Sequence, residues 1–362
     1  MVDDHERGVA DAILPNPWQT DTCIGGWHYS RWLYDMHFYM TTDQVVKMLL
    51  DIVSKNGNLL LNIPVKGDGT IDDDEVRFLQ GMAAWMSVTG EAIYGTRPWK
   101  IYGENPIRQP AWNQQQGDLT AMNFRFTTKG NVLYATALGW PEDGKLRVRT
   151  LASSSPGIVG KIAKVSLVGS SEKLAWTRRE DGLVVTLPAR PPCEHAYALK
   201  IEGLDLAASQ PVAPPPYVIR AAGDGLITLP LGISTLKGQM LWGDFHSSFE
   251  MKDRQYVGIS NWKAGEDAAS WLVHFDSPGD YRVSAKLSAG AGATALVVDA
   301  GAGVSEPIAV PKTSSFSEYQ TVTGGVVKVA AAGDQVVTVR PADPKAWPGI
   351  NLAAVTLRPA GG

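Results

Sequence analysis

Leu59-Leu60-Leu61-Asn62-Ile63-Pro64 is a short apolar run closed by turn-forming residues, the pattern of a parallel strand covered on both faces. Just upstream, Thr41-Thr42-Asp43 can cap a helix whose apolar positions Val45, Val46, Leu49, Leu50, Ile52 and Val53 follow helical spacing, with Asn56-Gly57 as its stop. Just downstream, Asp72 to Glu75 supply the acidic first turn of a second helix, expected to bury Val76, Leu79, Met82, Ala83 and Met86. Helix, strand, helix is the repeating unit of an α/β barrel. This stretch carries too few strands to close a barrel, so it is expected not to do so by itself.

From Pro98 the helical period gives way to short alternating segments: Asn123 to Thr127, Asn131 to Ala137, Lys145 to Arg149, Leu183 to Leu187 and Ala196 to Ile201. Gly, Pro and Asp punctuate them as in an antiparallel sandwich. A Pro-rich stretch around Pro211 to Pro216 reads as a semi-rigid linker, and a second strand-and-turn block follows. The expected fold is mainly β with a small α/β amino-terminal part. Residues 1–98 form an incomplete (β/α) barrel remnant, 99–206 an antiparallel β-sandwich, 207–221 a linker and 222–362 a β jelly roll.

The 362 residues carry a net charge of -4 and a pI near 5.9, which gives no basic face for phosphate neutralisation. Nucleic acid is not an expected partner. Nor is a membrane, because no apolar run approaches the roughly 18 to 20 residues of a span. The two cysteines, Cys23 and Cys193, lie far apart and are expected to be free thiols. Lys66 to Glu75 alternates acidic residues with glycine but lacks the calcium-loop order, so it is read as a turn and helix cap. His28 has no neighbour at metal-ligand spacing. No metal and no cofactor are expected. Twelve tryptophans, several beside Gly, Asp or Asn, lean the chain towards sugar, whose C–H faces pack on indole.

Four motifs sharpen that leaning: Pro17-Trp18-Gln19-Thr20-Asp21-Thr22-Cys23-Ile24-Gly25-Gly26-Trp27, Lys55 to Pro64, Gly67 to Ile71, and Gly90 to Trp99. In this order they resemble the end of the catalytic barrel of glycoside hydrolase family 29, the α-L-fucosidases, and the block to about residue 205 resembles that family's carboxyl-terminal β-sandwich. The resemblance implies a retaining glycosidase, with a nucleophilic Asp and an acid/base Glu roughly 5 to 5.5 Å apart. By position Glu6, twelve residues before Trp18 and preceded by Asp3 and Asp4, matches the acid/base. The strand that bears the nucleophile is expected to lie outside this chain.

The resemblance further implies that Trp27 packs against the C5-methyl side of fucose, while Trp18 is assigned to the core. Residues 222–362 are similar to jelly-roll carbohydrate-binding modules of families 6 and 35, in which an aromatic pair grips a sugar. Trp262 and Trp347 are the candidates here, with Trp271 in the core and no obligatory calcium. Expected partners are fucosylated or other plant and mucin glycans, and either further copies of the chain or a complementing barrel chain. Three functions stay open: an α-L-fucosidase-type hydrolase, a non-catalytic carbohydrate-binding protein, and a truncated hydrolase acting on other glycosides. Full-length members of the family are expected to be secreted or periplasmic; the compartment of this chain is left open.

Overall fold

The computed structural model describes residues 3–104, 120–214, 217–238, 240–242, 258–289, 294–301, 303–316 and 318–361. Part of the Pro-rich linker, residues 215 and 216, lies outside them. The chain divides into two compact units, whose described residues run to 214 in the first and from 217 in the second.

The first unit opens with three parallel strands, β1 (Asp3–Asp4), β2 (Trp18–Cys23) and β3 (Gly57–Asn62), in the order β1-β2-β3. Among the described residues they close no barrel. Helix α1 (Arg31–Asp35) follows β2, α2 (Thr42–Ser54) precedes β3 and α3 (Asp73–Thr89) follows it. Both long helices begin at capping boxes: Thr41 with Gln44, and Asp72 with Glu75. Helix α2 ends as its sequence proposed, with Asn56 in the left-handed region at φ 73°. Gly57 is required for a different reason. A Cβ there would stand 2.5 Å from the Trp18 ring, which is wholly buried and donates through Nε1 to the Lys55 carbonyl at 2.9 Å.

Helix α3 buries a different face from the one its aliphatic residues suggest. Glu75, Phe78, Trp85 and Thr89 point inward, whereas Val76 and Leu79 are exposed. The largest rings decide the rotation, because they fill the most space against the neighbouring layer. Trp85 also gains a partner there, donating through Nε1 to the Ala196 carbonyl at 3.0 Å.

The rest of this unit is two antiparallel sheets. One contains β4 (Arg97–Glu104), β5 (Phe124–Lys129), β6 (Val132–Ala137), β8 (Gly160–Leu167) and β11 (Tyr197–Leu204), in the order β4-β5-β6-β11-β8. The other contains β7 (Lys145–Val148), β9 (Ala175–Arg179) and β10 (Gly182–Thr186), in the order β7-β10-β9. Phe124, Phe126, Leu133, Leu146, Val185 and Leu199 share one core between them.

Helix α2 is covered on both sides, by β3 and by β4 and β5. On the sandwich side its Asp51 is 1% exposed and accepts from Arg125 Nε at 2.6 Å and Lys55 Nζ at 2.8 Å. The Tyr102 ring lies 4.7 Å from Lys55 Nζ and 5.6 Å from Arg125 Cζ. Burial lowers the pKa of Lys55, with Asp51 opposing that shift.

The second unit has two mainly antiparallel sheets among its described residues. The larger contains β12 (Val218–Ile219), β14 (Thr235–Lys237), β17 (Ala268–Phe275), β19 (Thr294–Ala300), β20 (Gly303–Val304), β21 (Ile308–Val310) and β23 (Gly333–Pro341), and the smaller β13 (Ile227–Thr228), β15 (Leu241–Trp242), β16 (Ile259–Trp262), β18 (Gly279–Ser288), β22 (Gln320–Val329) and β24 (Ile350–Pro359). Alternation puts Trp271, Val273 and Phe275 of β17 inside, with Trp271 donating to the Pro230 carbonyl at 2.8 Å. The sheets meet where Phe275 contacts Tyr281, with ring centroids 4.9 Å apart. The chain is therefore mainly β with a small α/β part. No helix among the described residues is long and apolar enough to cross a membrane.

Removing Asp51 strands two buried cations, and breaking a buried pair typically costs about 3–5 kcal/mol. Asp51→Ala is expected to lower the urea midpoint of the first unit accordingly. The combined variant Asp51→Leu, Lys55→Met, Arg125→Met is expected to recover most of the loss, since no orphaned charge remains.

Candidate functional site

Parallel strands present their carboxyl ends along one edge, where loops collect functional side chains in α/β barrels. Register fixes which residues reach that edge: Asp4 pairs with Gln19 and Cys23 with Asn62. Beyond β1 the chain turns through His5-Glu6-Arg7-Gly8, and beyond β2 through Ile24-Gly25-Gly26-Trp27. The first turn is tied down by Gly8 N–H to the His5 carbonyl at 3.2 Å and Arg7 N–H to the Asp21 carbonyl at 2.9 Å. The Thr20 hydroxyl also donates to the Gly8 carbonyl.

These turns bring Glu6 and Trp27 together. The half-buried Trp27 donates through Nε1 to Glu6 Oε1 at 3.2 Å, and Glu6 is exposed. Asn62 Nδ2, at the end of β3, donates to the Trp27 carbonyl at 3.2 Å. Arg7 lies with its Cζ 5.0 Å from the Trp27 ring centroid and donates through Nη2 to Cys23 Sγ at 3.2 Å. Asp3 and Asp4 are exposed on β1, and Asp4 accepts from Gln19 at 3.3 Å. His28 is exposed in the loop after Trp27. Among the described residues no three His, Cys, Asp or Glu side chains gather as a metal ion requires. In the Lys66 to Glu75 turn, Asp68 accepts from the Thr70 backbone and hydroxyl at 2.9 and 2.7 Å, and Asp72 caps α3.

Sequence reasoning singled out Glu6 and Trp27 but not Arg7, Cys23 or Asn62. Asn62 was legible in principle as the last residue of β3. Nothing in the sequence shows that Arg7 folds back over an indole twenty residues away.

In the second unit Trp262 and Trp347 are adjacent, with ring centroids 5.9 Å apart at 53°. Trp347 Nε1 donates to the Trp262 carbonyl at 2.9 Å. Trp262 is 0% exposed, so its ring offers no face for a sugar, contrary to the expectation that both rings grip one. The reason is its place on β16, paired with Ile350 of β24, which turns it into the interior. Trp347 is half-buried and rests against it.

Residues 1–91 match the family described as Alpha-L-fucosidase, and residues 116–202 match the Alpha-L-fucosidase C-terminal domain. Tissue alpha-L-fucosidase of Bos taurus is 32% identical over 204 residues, covering 54% of this chain and 38% of the bovine protein. The Homo sapiens tissue enzyme is 30% identical over 202 residues, covering 53% and 38%. A solved Thermotoga maritima alpha-fucosidase, in complex with a mechanism-based inhibitor, is 27% identical with a TM-score of 0.43, covering 55% of this chain and 42% of that one. The chain thus spans 38% of the length of the curated relatives named here. The proteins matched by its first unit are glycoside hydrolases. Within that class, the chain is related to the α-L-fucosidases of glycoside hydrolase family 29.

Both cysteines are free. Burial raises the Cys23 pKa, partly offset by the Arg7 charge, and burial together with the Glu194 charge pushes Cys193 up to about 11. Because the thiolate is the reactive form, Cys193 in the folded protein is expected to react with an aromatic disulfide reagent at pH 8 on the order of 10²-fold more slowly than a free thiol. Cys23 is expected to be slow as well, and both should react at full rate in denaturant. Rapid labelling of two thiols in the native protein would contradict this burial.

Proposed function

We propose that this chain works on α-L-fucosylated carbohydrate as part of a retaining glycoside hydrolase. Glu6 is the acid that protonates the leaving oxygen and Trp27 is the apolar platform beside it. The observation that carries this reading is the 3.2 Å contact between Trp27 Nε1 and Glu6 Oε1 at the carboxyl edge of the parallel strands. An exposed carboxyl beside an indole can donate a proton while the ring excludes water from one side of the sugar. The nucleophilic Asp is assigned to a barrel strand other than β1, β2 and β3.

Leaving-group protonation typically contributes about 10² to 10⁴-fold in rate. Glu6→Gln is expected to lose activity in that range on an alkyl α-L-fucoside, and far less on a nitrophenyl α-L-fucoside, whose leaving group needs no proton. Equal measurable rates for Glu6→Gln and the unaltered chain on the alkyl substrate, each assayed with the nucleophile-bearing segment present, would remove Glu6 from this role.

A second reading is favoured by Trp347. In it residues 222–362 are a jelly-roll carbohydrate-binding module following a barrel remnant (1–98), a sandwich (99–206) and a linker (207–221), and the chain binds glycans without cleaving them. Trp347 is the stacking ring and Trp262 the buried support that holds it. In affinity electrophoresis on mucin-type or plant glycans, Trp347→Ala is expected to abolish retardation of the chain. Unchanged retardation would place any sugar site elsewhere.

A further inference from the structure

Two consecutive side chains, Glu6 and Arg7, meet one indole from different directions. Glu6 accepts from its edge and Arg7 lies against its face. The backbone pays for this convergence at Arg7, whose φ of 52° falls in the left-handed region that non-glycine residues rarely adopt. Its N–H bond to the Asp21 carbonyl holds it there. The guanidinium is fixed in turn by Cys23 Sγ, which itself donates to the Gly25 carbonyl at 3.1 Å. The Trp27 main chain is therefore anchored from β2 and, through Asn62, from β3, while Arg7 lies against one face of its ring.

We propose that Arg7 is the positioning residue of this site: it presses the Trp27 indole into the one orientation in which Nε1–H meets Glu6. The inference rests on the reading of Glu6 as the proton donor only for its functional meaning; the contact itself is testable without substrate. Three features favour this role. Arginine combines a flat cation, which stacks on an aromatic face, with in-plane donors, and both are used here, on Trp27 and on Cys23. Lysine can supply the charge but not the plane together with the fork. Arg7 also occupies one face of the ring, so a sugar can stack only on the other, which fixes the side from which a leaving oxygen approaches Glu6.

The test follows the indole N–H resonance of Trp27 in the ¹⁵N-labelled full chain, assigned by its loss in Trp27→Phe. Replacing the acceptor by Glu6→Gln is expected to displace this resonance by a step in chemical shift, read in each background as the difference with and without Glu6→Gln. In Arg7→Ala, with thermal unfolding checked to be unchanged, the step is expected to fall below half its amplitude. Indole N–H exchange with solvent is expected to quicken about tenfold, as for a side chain released from a packed position. Arg7→Lys should restore only part of both.

A full-amplitude step in Arg7→Ala overturns the proposal, as does the lack of any Glu6-dependent step in the unaltered chain. Should Arg7→Ala not fold, Arg7→Lys decides: a step as large as in the unaltered chain overturns the proposal, and a reduced one supports it. The hydrolysis assay on Glu6→Gln is separate. It can fail while the indole step persists, which would leave Arg7 positioning Trp27 against a carboxylate that is not the acid.

Discussion

Asp51 shares its two carboxylate oxygens between Arg125 and Lys55 where solvent does not reach, and the first unit is organised around that contact. The anion comes from a helix of the α/β layer and one cation from a strand of the sandwich, so neither partner can be left dry without the other. A buried charge without its partner costs several kcal/mol, which makes the joint between the layers all-or-none. The joint also fixes helix α2, whose opposite side packs on β3 and thereby sets where that strand ends. The position of Asn62, and through it the main chain of Trp27, follows from that placement.

At the strand ends the chemistry is assembled from turns rather than from regular structure. Glu6 reaches Trp27 because β1 and β2 run parallel and in register, so two loops far apart in sequence leave the sheet on the same side. The side chains that hold the loops, Thr20, Cys23 and Asn62, sit on or at the end of paired strands, where positions are precise. The residue that carries the carboxylate stays exposed.

Much of this was legible in the sequence. The cap of α2 at Thr41, the acidic start of α3 at Asp72 and the stop at Asn56-Gly57 were legible, because caps are local and their hydrogen bonds span three residues, whereas the reciprocal bonds from Gln44 and Glu75 were not anticipated. The sandwich strands were legible from alternation, although β8 and β9 carry too many exposed polar side chains to stand out. The reading failed where a side chain's fate depends on a distant layer. Arg125, between Phe124 and Phe126, looks like the outward half of an amphipathic strand, yet that outward face is covered by α2. Trp262, beside Asn261 and Lys263 in a polar stretch, looks like a surface ring and is enclosed by its own sheet. Helix α3 turned Phe78 and Trp85 inward in place of Val76 and Leu79, a choice made by the shape of the neighbouring surface.

The long reach of these contacts has a temporal side. Asp51 and Arg125 are 74 residues apart, and Trp85 and the Ala196 carbonyl 111. At a synthesis rate of about 5–20 residues per second, the first pair stays incomplete for roughly 4 to 15 seconds after Asp51 is made. During that interval Asp51 can meet Lys55, four residues on, but not Arg125, so the face that will be buried is only partly neutralised. It waits, hydrated, on the ribosome until the sandwich emerges, so the order of translation makes the later domain the template on which the earlier one completes its fold.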